Sequence, residues 1–260
     1  MTLALGEKLP AFLNIKKLVK AALGNLFDGF KGLVEPNLFR ATYRTLNHAI
    51  GEGMGKIDYR PDAAFVAQLR KSGAWFAARK TYQQKQELAK LLVNDEGTGK
   101  RTWTSFKKLA KGIVTDYNET WLRVEYNTAI ASARNAGKWQ QYEAERGTYP
   151  NLEYLPSVAA TPRDEHKPYY HVVRPVDDDF WVKHYPPSAY NCKCGVAQSD
   201  GDVTDLPERA PKPAPGLDHN AGQTGELFSK THPYSAELDE ELRKRIDEEG
   251  ERLAAEDDAE

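Results

Sequence analysis

Residues 161–197 read TPRDEHKPYYHVVRPVDDDFWVKHYPPSAYNCKCGVA. The stretch holds three of the six histidines, both cysteines and a run of three aspartates, and nothing comparable recurs elsewhere. Prolines at 150, 156, 162, 168, 175, 186 and 187 exclude a long helix across it, because proline lacks the amide donor a helix interior needs. Tyr170–Arg174 reads as a short strand, and 192–197 as a second. This is the signature of a small, loop-rich α+β unit.

Upstream, the pattern is helical. Leu122, Tyr126, Ala129, Ile130 and Ala133 recur at helical spacing over 118–139, Glu119 and Arg123 are placed to pair one turn apart, and Gly137 is placed as a stop. Arg123, Asn127 and Arg134 share one face, from which Arg123 is expected to reach and pin the C-terminal region. Residues 62–93 read as one long helix, or two with a bend at Ser72-Gly73, and a second basic helix takes in Phe106, Leu109 and Ile113. Residues 1–60 read as short helices broken by glycine, with Gly51–Gly55 as the loop that ends them. Downstream, 199–234 is a Pro/Gly-rich connector. Residues 235–260 carry 12 acids and 4 bases and read as an extended acidic tail, either a solvated helix or partly disordered. The expected fold class is α+β, mainly α. Its divisions are 1–60, 61–117, 118–198, 199–234 and 235–260.

Charge is unevenly spread. Residues 1–113 hold 20 Lys/Arg against 9 Asp/Glu, and 114–260 hold 16 against 29. Such a split suits two surfaces with different partners, one of them nucleic acid, or a merely dipolar protein. No run of about 18 apolar residues is present, so no membrane partner is expected. The opening residues do not read as a signal peptide, and two cysteines do not make a secreted disulfide framework.

Several motifs suggest chemistry. Asn94–Arg101 approaches a phosphate-binding loop but lacks its first glycine, its hydroxyl and its preceding strand, and is rejected. Asp177-Asp178-Asp179 reads as a solvated turn rather than a cation site. Cys192-Lys193-Cys194 cannot readily form a disulfide across two residues. In a tight loop both sulfurs could face one zinc ion, with His166, His171 and His184 as nitrogen candidates. The alternative is two thiols packing under Trp181 and Tyr190. No orienting group or oxyanion hole accompanies the cysteines, so no catalytic residues are expected.

Taken in order, three segments resemble one family. They are Trp121–Asn127 followed by Ala129, Ala133 and Ala136; Thr161–His166; and Asp178–Trp181 with Pro186-Pro187 and Asn191–Cys194. Phe76–Arg79 upstream and Phe228–Tyr234 downstream extend the likeness to about 60–235. The chain resembles the phage head morphogenesis family, the Mu F-like minor head proteins. It departs from that pattern at His171, where members often carry glycine, and at Lys193, where they carry arginine.

The resemblance implies a minor capsid protein of a tailed phage or prophage, made in the host cytoplasm and located in the virion, in the head interior or at the portal vertex. The implied partners are the portal protein, a capsid or scaffolding protein, and packaged DNA. Arg123, Arg163, His166, Trp181, Asn191, Cys192 and Cys194 are the implied structural signature. The competing readings are a zinc-dependent or cysteine-based enzyme centred on His166, Cys192 and Cys194, and a nucleic-acid-binding module using the basic N-terminal half.

Overall fold

The computed structural model describes residues 9–208 and 211–259. The reading of the N-terminus as no signal peptide falls largely on residues 1–8, outside the described residues. The helices are α1 (Ile15–Phe27), α2 (Pro36–Met54), α3 (Ala63–Lys90), α4 (Trp103–Thr115), α5 (Trp121–Glu145), α6 (Phe180–His184), α7 (Ala221–Thr224), α8 (Pro233–Ala236) and α9 (Glu240–Asp258). The strands are β1 (Asn151–Leu155), β2 (Val173–Pro175) and β3 (Gly195–Ser199). The fold is α+β and mainly α. No described helix is long and apolar enough to cross a membrane.

The chain divides into two units, one built from 49–72 and 127–233, the other from 9–48, 73–126 and 234–259. In the first, β1 lies between β2 and β3, antiparallel to both. Leu152 and Tyr154 of β1 point into the core, while their neighbours are half exposed. That alternation is what a sheet with one covered face requires. Trp139 and Tyr142 of α5 pack beneath, with Tyr169, Phe180, Trp181, Tyr185 and Val196 completing the core. Residues 200–208 and 211–220 run without regular structure but not unattached. The Thr204 amide donates to the Val173 carbonyl (3.0 Å), the Val173 amide donates to Thr204 Oγ1 (3.0 Å), and Leu217, Leu227 and Phe228 are buried.

In the second unit, Val19, Leu23 and Leu26 of α1 pack on Phe106 and Ala110 of α4. Lys80 and Glu125 are both buried and ion-paired, and the Tyr234 hydroxyl donates to the other Glu125 oxygen (3.1 Å). Desolvation holds the Lys80 ammonium below the ordinary lysine range, against the attraction of Glu125.

The acidic stretch 235–260 holds the end of α8 and all of α9. Ile246, Gly250, Leu253 and Ala254 form a buried stripe on α9, packed on Phe39, Tyr43, Ala74, Ala77 and Ala78. The acids flanking the stripe find specific partners. Asp247 takes a two-pronged pair from Arg79 (2.7 and 2.6 Å), Asp257 pairs with Arg44, and Glu251 accepts from Trp75 Nε1 (2.7 Å). Arg79 and Arg44 of the same unit thus neutralise Asp247 and Asp257, two of the acids that read as solvating in sequence.

Two glycine readings are also overturned. Gly51–Gly55 does not end a helix at its first residue, since α2 continues to Met54, and α5 runs through Gly137 to Glu145. A Cβ on Gly53 would stand 2.6 Å from the Ile130 carbonyl, and one on Gly137 would stand 2.3 Å from Ile57 Cδ1. These glycines permit close helix approach rather than terminating helices. The strand expected at Tyr170–Arg174 begins only at Val173 and reaches Pro175, because His171 adopts φ 65°.

Two substitutions test these packing arguments. Gly53→Ala improves intrinsic helix propensity by about 1 kcal/mol, yet the overlap with Ile130 and Ala133 is expected to reverse the sign and destabilise by about 1–3 kcal/mol in urea unfolding. Lys80→Met alone leaves Glu125 buried without its cation and is expected to cost about 3–5 kcal/mol. Lys80→Met with Glu125→Leu recovers most of that loss in the same measurement.

Candidate functional site

The cysteine segment lies in the first unit, just before β3. Residues 192–194 are not yet strand, so the side chains of Cys192 and Cys194 escape the alternation that would send them to opposite faces. The turn at Asp164–Tyr169 delivers His166 to the same place, its amide donating to the Arg163 carbonyl (3.1 Å). His166 Nδ1 lies 3.6 Å from Cys192 Sγ and 3.6 Å from Cys194 Sγ. The three donor atoms lie within 4.8 Å of one another, and all three residues are buried. Both cysteines are free thiols.

Electrostatics divides the pair. The hydrogen bond from Cys194 draws the Cys192 thiol down to about 4 against the opposing effect of burial, and His166 adds to the lowering. Cys194 is pushed up by the same partner and by burial. Burial, with the two sulfurs nearby, also raises the Tyr154 hydroxyl.

Surrounding hydrogen bonds fix the two loops that carry these groups. Arg163 Nη2 donates to the Tyr190 carbonyl (2.8 Å), joining the His166 turn to the cysteine loop. The Asn191 amide donates to Thr128 Oγ1 (3.0 Å), and Asn191 itself occupies the left-handed region at φ 59°, which asparagine tolerates better than most residues. Trp181, fully buried, donates from Nε1 to the Pro175 carbonyl (2.9 Å). Asn135 donates to the Pro186 carbonyl (2.9 Å), and the Tyr142 hydroxyl donates to the Val196 carbonyl (2.8 Å). Thr128, Asn135 and Tyr142 were not singled out from sequence. Their seven-residue spacing puts them on one face of α5, and that spacing was the available signal.

Not every sequence candidate converges. His171 is exposed and faces Glu153 (2.7 Å), and His184 contacts the Tyr169 hydroxyl (3.0 Å). Arg123 is exposed on α5. Asp178 accepts from Arg174 and from the Phe180 amide (2.8 Å), which makes it the start of α6. In the 94–101 turn the Asn94 side chain accepts from the Thr98 and Gly99 amides, the very donors a phosphate would need.

These features define a small α+β module in which a Cys-x-Cys loop and a buried histidine close over a three-stranded sheet. Residues 80–197 match the family model described as Phage Mu protein F like protein. The putative capsid assembly protein F of Escherichia phage Mu is 35% identical over 71 residues, 27% of this chain and 16% of that protein. The match thus spans about a sixth of that relative's length. No solved structure matches. Residues 80–197 are therefore similar to the Mu F-like head morphogenesis proteins.

Reactivity of the thiols tests the closure of this site. A thiol-specific reagent is expected to modify neither cysteine rapidly in the native protein and both in denaturant. Fast labelling of a native thiol would contradict a closed core.

Proposed function

We propose that the protein is a minor head component of a tailed phage or prophage. It associates with the portal during head assembly, resides in the virion at the head interior or portal vertex, and has no catalytic role. The observation that carries this reading is the Mu F-like match over 80–197. The matched relative is itself called a putative capsid assembly protein. Burial of His166, Cys192 and Cys194 favours a structural over a catalytic use of the cluster, because a substrate would need a path to the sulfurs.

Contact with packaged DNA is the second part of the proposal. Lys16, Lys17 and Lys20 of α1 and Lys107, Lys108 and Lys111 of α4 are all exposed. Lys16, Lys20 and Lys107 border one groove floored by Val19, Leu23 and Trp103. A concentration of lysines on two touching helices suits phosphate contacts that position without reading sequence.

Co-expression with the portal protein of the same phage or prophage supplies the test. Tagged portal is expected to capture the chain, and assembled heads to contain it at low copy. Absence from both would overturn the assembly role. For DNA, affinity is expected to fall steeply with salt, by a slope of about 0.9 per phosphate contacted, and Lys107→Glu with Lys111→Glu to flatten that slope. Salt-independent binding would remove the phosphate reading.

A further inference from the structure

Cys192, Cys194 and His166 place two sulfurs and a nitrogen around one point inside a core otherwise made of aromatic rings and aliphatic side chains. Two observations set this apart from ordinary thiol packing. The first is distance. Zinc bonds of about 2.3 Å to sulfur and about 2.0 Å to nitrogen, held tetrahedrally, separate a sulfur from a nitrogen by about 3.5 Å. Both sulfur–nitrogen separations here are 3.6 Å. Hydrophobic packing of two thiols sets no such equal pair and does not require an imidazole nitrogen facing both.

The second observation is an orphan. The Tyr170 hydroxyl is buried and has no hydrogen-bond partner among the described residues. Tyr170 packs against the core that holds both cysteines. A buried hydroxyl left unsatisfied costs about 1–3 kcal/mol. A small ligand completing a metal's coordination would supply the missing partner.

We propose that Cys192 Sγ, Cys194 Sγ and His166 Nδ1 are three ligands of a buried structural zinc ion, with a small ligand in the fourth position that hydrogen-bonds to the Tyr170 hydroxyl. The donor set decides the metal class. Thiolate and imidazole select zinc over magnesium or calcium, which take oxygen ligands. An ion here would fasten the 164–169 turn to the 192–194 loop at a point where the backbone supplies no ladder. His171 and His184 lie outside this cluster, His171 exposed beside Glu153 and His184 against the Tyr169 hydroxyl.

Metal analysis of tag-free protein, purified without chelator and then exposed to zinc and desalted, tests the assignment. About one tightly held zinc per chain is expected. Cys192→Ser, Cys194→Ser and His166→Gln should each lose it, and His171→Ala and His184→Ala should retain it. Because a ligand variant can fail to fold, cobalt replacement in the wild-type chain gives an independent readout: a sulfur-to-cobalt charge-transfer band is expected. Tyr170→Phe is expected to weaken zinc affinity by about 10-fold while leaving stoichiometry at saturation unchanged. Zinc well below one per chain, cobalt binding without the thiolate band, or loss of metal in His171→Ala or His184→Ala would overturn the proposal.

Discussion

The contact of His166 Nδ1 with the sulfurs of Cys192 and Cys194 is the constraint on which the first unit depends. Its three strands span only three to five residues each, and a sheet that small holds little stability of its own. Long loops join those strands, and ordering loop residues costs roughly 1–2 kcal/mol each in backbone entropy. Aromatic burial by Trp139, Tyr154, Tyr169 and Trp181 offsets much of that cost but is not directional. The sulfur–imidazole contact and the Arg163–Tyr190 and Asn191–Thr128 hydrogen bonds set which loop meets which.

The second unit uses electrostatics in another way. Helix α9 has a narrow apolar stripe, and its acids pair with Arg79, Arg44 and Trp75 from earlier helices. Two-pronged arginine–carboxylate pairs fix orientation better than single contacts do. This unit therefore draws segments distant in sequence together through matched charges. Lysines left exposed on α1 and α4 are the ones free to meet an outside polyanion under the proposed role.

Legibility in the sequence followed how local the cause was. His166, Trp181, Cys192 and Cys194 stood out by residue type, and the structure brings all four into one core. His171 stood where related chains often carry glycine, and its φ of 65° gives the physical reason. Strand β1 was not seen, because Leu152 and Tyr154 alone are too few to show alternation between two prolines. Gly53 and Gly137 were misread as breakers, since a glycine needed for close approach looks the same in sequence as one that ends a helix. The stripe Ile246, Gly250, Leu253, Ala254 has helical spacing, but the surrounding acids outweighed it until their partners, far upstream, were in view.

Amide hydrogen exchange on wild type and on the Cys192→Ser, Cys194→Ser double variant measures the central constraint directly. Protection in the wild type is expected to be high at Tyr154, His171 and Cys192, whose amides donate to the Val172, Tyr154 and Ala189 carbonyls. In the double variant those amides should exchange much faster, together with 163–173 and 189–199 and ahead of global unfolding. Unchanged protection across these segments would show that aromatic burial alone holds the loops and would contradict the account.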